Sequence, residues 1–297
     1  MSVSRLPVSI VFILNFFIGS VGNGILILCF FKNPKFRTPF NILVTILCFC
    51  DILNISGAFS NVISRIADFE TSQSNCFFIQ IGPIIGVSGG SSLTLIIGFD
   101  RFLAVRFPLW YRLQHKNKRY VTILLLFPLA YMFSVLSVGY YCRLLDFGAK
   151  LLCTFPVALN EVSFTIFLYG NLLMNIGIFT IYTGVYYSLR THTTSNQFKK
   201  AFHSIAVTVT IVLLGYATTT VWILITKKFV TDPYISEVFE GYSAIPVQIT
   251  LSTNVFVFYS INPDYRSTIR DLLHLPNQVH PSTKNSDVKM ISNIDQF

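Results

Sequence analysis

Asp51 lies in the middle of an apolar block that runs from Phe40 to Ile63. An isolated carboxylate at mid-bilayer costs about 2.5–3.5 kcal/mol on insertion scales, so it has to face other helices and find polar partners there. Asn23 and Asn254, each near the middle of its own apolar block, are the expected partners. Asn23, Asp51 and Asn254 thus read as an activation network, able to hold water or a sodium ion and to rearrange when helices shift. A static polar clip between helices is the plainer alternative. A second acid and base, Asp100 and Arg101, adjoin each other at the end of the third block. Such a pair can close in one state and release the arginine to a partner in another, although charged residues also mark helix ends.

The six cysteines divide by position. Cys29, Cys48 and Cys50 fall inside apolar blocks, where a thiol behaves as a small buried hydrophobe. Cys76 opens the third block, and Cys142 and Cys153 flank the loop after the fourth. In an oxidising compartment Cys76 is expected to pair with one of those two. Cys153 is the preferred partner, because it lies close before the fifth block and lets the loop fold back over the bundle. Cys142, at the exit of the fourth block, is the other choice. No CxxC pair, no metal-spaced Cys/His cluster and no HExxH occurs, and the five histidines sit in loops, the tail or a block end. Neither enzyme chemistry nor a resident cofactor is expected.

The elements that must position these residues are membrane helices. The chain has 297 residues, 53% hydrophobic and only 12% charged, against roughly 25% charged in a soluble domain. The apolar residues come in blocks that match the ~20 residues needed to span a bilayer. The spans are expected at Pro7–Phe31, Phe40–Ile63, Phe77–Phe99, Val121–Tyr141, Glu161–Leu189, His203–Thr226 and Ser236–Ile261. The fold class is therefore an all-α integral membrane protein, a seven-transmembrane helix bundle. Residues 1–261 form the bundle. The first block is too long to be a cleavable signal peptide.

Lysine and arginine set the orientation. Sixteen lie in the loops and tail of one face, among them Arg101, Arg106, Lys199 and Lys200; six lie on the other. The first face is expected in the cytosol, which places the amino terminus outside. The net charge of +9 is thereby an orientation signal, and no nucleic-acid partner is implied. Membrane lipid surrounds the chain.

Several stretches together carry a family resemblance. Gly22-Asn23 in the first helix, Leu47 and Asp51 in the second, and Cys76 twenty-five positions before Arg101 all fall where rhodopsin-like G-protein-coupled receptors place theirs. Asn254-Val255-Phe256-Val257-Phe258 resembles a degraded NPxxY. Asn262-Pro263-Asp264-Tyr265-Arg266 looks like the start of that family's short cytosolic eighth helix, expected over 262–275 and followed by a disordered cytosolic tail over 276–297. Gly98–Pro108, Pro156–Asn160 and Gly215–Thr220 make the chain most similar to nematode serpentine chemoreceptors of class sx. The sequence departs from the wider family in the sixth helix, where Gly215-Tyr216-Ala217-Thr218 replaces CWxP and its proline kink. It departs also in the fourth helix, which lacks the usual tryptophan.

The resemblance implies a chemosensory receptor of the plasma membrane, sensory cilia included, that binds an extracellular small molecule or peptide and activates a heterotrimeric G protein. It assigns coupling to Asp100 and Arg101 with Arg106, Lys199 and Lys200 around them. It implies a pocket among the third, fifth, sixth and seventh helices, floored near Tyr216, with Val87, Ser88, Glu240 and Gln248 in its wall and Arg65 as a further charged candidate. Gly86, Gly89 and Gly90 thin the third helix, leaving room for a ligand or for a closely packed helix. Pro83 stands where amine receptors carry an aspartate, so a biogenic amine held in the usual way is not expected. The alternative is a transporter or channel, which calls for a charged path or paired broken helices; Asp51 is nearly alone at mid-depth.

Overall fold

The chain folds, in a computed structural model, around helices that follow the apolar blocks and in most cases overrun them. Residues 6–276 are described, except 67–69, 115–116, 145–149 and 192–195. Of the tail expected over 276–297, all but residue 276 lies outside the described residues.

The long helices are α1 (Leu6–Lys32), α2 (Pro39–Ile66), α4 (Ile81–Arg106), α6 (Lys118–Arg143), α7 (Phe155–Thr191) and α8 (Asn196–Phe229). The last crossing is made by α9 (Pro233–Ser243) and α10 (Ile245–Ile261) together. Short helices complete the path: α3 (Gln73–Ile79), α5 (Pro108–Gln114) and α11 (Pro263–Leu272). Among the described residues seven spans are long and apolar enough to cross a membrane. The protein is a multi-pass membrane protein. Its side chains obey the lipid rule, with large apolar residues such as Phe17, Val21, Phe133 and Leu173 turned outward and polar ones turned in.

Local sequence explains the interruptions. Pro246, one residue into α10, cannot donate to a preceding turn and crowds the carbonyl four residues back, so α9 stops at Ser243. The Ser243 carbonyl, set at the break, accepts 2.7 Å from the Thr219 hydroxyl of α8, which satisfies it without water. The sixth crossing, lacking an internal proline, runs unbroken as α8. Within α7, Asn160 leaves the helix at φ 63° and ψ 160°, a region hostile to side-chain-bearing residues. Its Oδ1 accepts from the Val162 N–H at 3.2 Å and so starts the crossing proper as an N-cap.

Two strands form where loops are expected. β1 (Glu70–Ser72) pairs antiparallel with β2 (Lys150–Leu152), Thr71 opposite Leu151. The third crossing begins at Ile81 and not at Phe77: Cys76 belongs to α3, a separate turn that hands over to α4 at Gln80. Cys76 and Cys153 are joined by a disulfide, which ties α3 to the segment after β2. Cys142 is a buried free thiol. At the opposite end α11 lies against α1, with Tyr265 buried, stacked on Phe36 at 4.3 Å, and donating 3.2 Å to Asn41 Oδ1. Burial raises the Tyr265 phenol pKa above its ordinary value.

Candidate functional site

Three polar groupings lie along the bundle axis. At mid-depth, Asn254 Nδ2 donates 2.7 Å to Asp51 Oδ2 and reaches Asn23 Oδ1 at 3.4 Å. Asn23 Nδ2 in turn donates 3.0 Å to the carbonyls of Gly19 and Leu251. Asn23, Asp51 and Asn254 are therefore brought together from α1, α2 and α10, each almost fully buried. Asn254 turns its nitrogen to the carboxylate, and the hydroxyls of Ser91 and Ser92 fold back onto their own helix. The donor set falls short of the several oxygens a hard cation takes, so these residues do not fit a sodium ion.

Towards the disulfide end opens a cavity of about 140 Å³. Its wall includes Asn54, Asn61, Gln80, Asn171, Tyr216 and Gln248, with Phe155, Phe164 and Phe167 supplying an aromatic side. Val87 and Glu240 also line it. Ser88 does not: its hydroxyl donates 2.6 Å to the Ile84 carbonyl and is fully buried within the helix packing, because a serine inside a membrane helix satisfies itself on the turn before it. The Arg65 side chain lies outside the described residues. Tyr216 does sit at the inner edge of the cavity, where Asn54 Nδ2 donates 3.1 Å to its hydroxyl. Asn54 stands one turn beyond Asp51 on α2, so the cavity floor and the mid-depth cluster share a helix face.

The thin stretch of α4 packs against a helix. A Cβ on Gly86 would lie 2.3 Å from the Asn54 nitrogen and 2.5 Å from the Cys50 carbonyl oxygen. Gly89 meets Cys50 and Met132, and Gly90 faces Asp51. These glycines bring α4 against α2, which is the close-packing half of the expectation.

At the far end, Asp100 is wholly buried and Arg101 nearly so. Arg101 donates to Asp100 Oδ2 from Nε at 2.9 Å and from Nη2 at 2.5 Å. Two tyrosines close the group. Tyr111 of α5 accepts 2.8 Å from Arg101 Nη2 and donates 3.2 Å to Asp100 Oδ1, while Tyr120 of α6 donates 2.9 Å to the same oxygen. The guanidinium also lies 4.4 Å from the Phe40 ring centroid. Burial, with the neighbouring Asp100 charge, raises the Tyr111 phenol to about 12, although the Arg101 charge works against it. Arg106 is exposed beside Phe107. Lys199 and Lys200 fall on α8, and their side chains lie outside the described residues.

Sequence reasoning named Gln248 but missed the other amides of the cavity wall, Asn54, Asn61, Gln80 and Asn171, and the two tyrosines. Two of the amides did carry a signal, since Asn61 lies seven positions after Asn54 on a predominantly apolar helix, on the same face. The tyrosines carried none in a chain with 14 tyrosines and 29 phenylalanines.

Compared with known proteins, residues 16–273 match the family described as serpentine type 7TM GPCR chemoreceptor Srsx. The chain is also similar to the proto-oncogene Mas proteins of mammals. It is 29% identical to that of Rattus norvegicus over 139 residues, which is 45% of this chain and 41% of the rat protein. It is 33% identical to that of Homo sapiens over 100 residues, 32% of this chain and 30% of the human protein. The matched stretch thus spans less than half of the curated relatives.

Proposed function

We propose that this chain, which belongs to the Srsx family of serpentine seven-transmembrane G-protein-coupled chemoreceptors, binds an external chemical in the cavity beneath the disulfide and answers by activating a heterotrimeric G protein at the Arg101 end. The observation that carries the reading is the closed Asp100–Arg101 pair at the opposite end of the bundle from a walled cavity. A receptor needs two sites and two states that both sites bias. Asn54, one turn from Asp51 on α2, meets Tyr216 of α8 and so connects the cavity to the mid-depth cluster that lies between the two sites.

In this reading the resting state is the one described, with Arg101 held by Asp100 and Tyr111. Ligand shifts α8 relative to α10, the Asp51 cluster rearranges, and Arg101 is released toward the carboxyl-terminal helix of the partner. Arg106, Lys199 and Lys200 form the basic rim, and the same charges fix topology. The receptor resides in the plasma membrane with its amino terminus outside. The family match favours this reading over a transporter or channel.

The test uses the full chain reconstituted in vesicles with purified G-protein heterotrimers representing each Gα class. Wild type is expected to accelerate nucleotide exchange on at least one class. Arg101→Ala is expected to fold with its disulfide intact and to lose that acceleration. Full exchange by Arg101→Ala would remove Arg101 from the signalling step.

A further inference from the structure

We infer that the cavity selects a compact, uncharged ligand that donates hydrogen bonds in several directions. This rests on the reading of the chain as a receptor and names the chemistry of its ligand. Four amide oxygens around the one cavity are buried without a hydrogen-bond partner: Asn61 Oδ1, Gln80 Oε1, Asn171 Oδ1 and Gln248 Oε1. They come from α2, the α3–α4 junction, α7 and α10, so they surround the space from four elements. Gln80, Asn171 and Gln248 are each more than nine-tenths buried. Buried polar groups are ordinarily paired, and a cluster of unpaired ones in a single cavity calls for an explanation. A ligand bringing N–H or O–H groups is the explanation that satisfies all four.

The orientation of one amide is fixed by its other end. Gln80 Nε2 donates 2.9 Å to the Ser60 hydroxyl, which leaves Oε1 over Gly57 at 3.2 Å from where a Cβ would stand. Gly57 itself lines the cavity. The remaining wall is aromatic and aliphatic, which suits an apolar body.

Charge and size narrow the class further. Among the described residues no lysine, arginine or histidine lines the cavity, and Lys227 is spent over the face of Phe164 at 4.7 Å. An anion would meet carbonyl dipoles with no cation to balance it. Glu240 is the charged residue of the wall and has an interaction of its own; an uncharged donor reaches the four oxygens without the cost of burying an ion. The volume, about 140 Å³, compares with the roughly 150 Å³ of an engineered cavity that takes benzene. A single ring with two or three donors fits; a peptide does not fit inside.

Two measurements on purified full-length receptor in lipid nanodiscs test the inference. The first titrates four probes built on one para-substituted benzene ring: para-hydroxybenzamide, para-hydroxybenzoate, para-hydroxybenzylamine, and the donor-free para-methoxy-N,N-dimethylbenzamide. The hydroxybenzamide is expected to bind at least about tenfold more tightly than each of the others, the worth of a single hydrogen bond. Equal or tighter binding of the anion, the amine or the donor-free probe overturns the inference, as does the absence of binding by all four. The second measurement is the unfolding temperature without ligand. Asn171→Leu and Gln248→Leu remove unpaired buried oxygens, so the empty receptor is expected to unfold at a higher temperature while losing hydroxybenzamide binding. A lower unfolding temperature would make these amides structural supports and overturn the inference. Neither readout contains a G protein, so failure of the signalling reading and failure of this one are separately visible.

Discussion

Asp100 accepts hydrogen bonds beyond the two its neighbouring arginine supplies. Arg101 occupies one carboxylate oxygen, and the phenols of Tyr111 and Tyr120 occupy the other. A hydrogen bond to a charged group contributes about 1.5–3 kcal/mol, and removing one leaves the carboxylate less tightly held. Tyr120→Phe deletes only the hydroxyl and keeps the ring against Trp110 and Tyr111. It is expected to raise ligand-independent nucleotide exchange by roughly tenfold, read in the vesicle assay at equal receptor density. Unchanged basal exchange would leave the Asp100–Arg101 pair as the whole of the restraint. The second phenol sets a pH boundary. Tyr111 titrates near 12 in the folded chain, against an ordinary 10.0. Below about pH 10 both folded and unfolded chains keep the proton, so this group makes stability independent of pH there. Between about 10 and 12 the unfolded chain loses its proton first, and stability falls as pH rises. The unfolding temperature followed from pH 7 to pH 11 should therefore hold level and then decline, and the decline should shrink in Tyr111→Phe.

The helix pair α2–α4 is where single atoms decide how elements meet. A Cβ at Gly86 would press on the backbone of Asn54 and Cys50, neither of which is the end of a flexible side chain. Gly86→Ala is expected to force the helices apart at a cost of about 1–3 kcal/mol, by the usual penalty of overpacking. Gly24, with nothing within 4 Å of its would-be Cβ, provides the control: Gly24→Ala should leave the unfolding temperature level or slightly raised. Equal behaviour of the two variants would mean that the α2–α4 contact is looser than described. These glycines also mark the limit of what was legible in the chain. The apolar blocks dictated the crossings because a bilayer demands length and apolarity, both of which are properties of a linear run. Asp51 pointed to Asn23 and Asn254 because a mid-membrane carboxylate has few possible partners. Gly86 offered room without saying whether a ligand or a helix filled it, since that depends on what stands opposite. Ser88 and Gln248 look equally polar on paper, yet one bonds its own helix and the other faces the cavity. The three-residue strands depend on contacts between segments far apart in sequence, such as Thr71 with Leu151.

At the scale of the whole molecule, two unrelated kinds of physics assign the same sidedness. By the alternation of spans and loops in the sequence, sixteen of the 22 lysines and arginines fall on the face that carries Arg101, and the positive-inside rule predicts a cytosolic placement for that face. The Cys76–Cys153 disulfide closes the other end, and disulfides persist in oxidising compartments while the cytosol keeps thiols reduced. An inverted bundle would have to carry the basic loops across the membrane and hold a disulfide in a reducing space. The prediction is an external amino terminus and a cytosolic carboxyl terminus. In intact cells an amino-terminal epitope tag should be stained by antibody without permeabilisation, and a carboxyl-terminal tag only after it. Staining of the carboxyl-terminal tag on intact cells would invert the bundle and put the Arg101 end out of reach of any G protein. The charge balance also gives the prediction a graded form. Replacing Lys32, Lys35 and Arg37 with glutamine removes the first basic cluster of the cytosolic face. That weakens the signal the first helix usually dominates, so a minor population with the reversed staining pattern is expected in that variant but not in wild type.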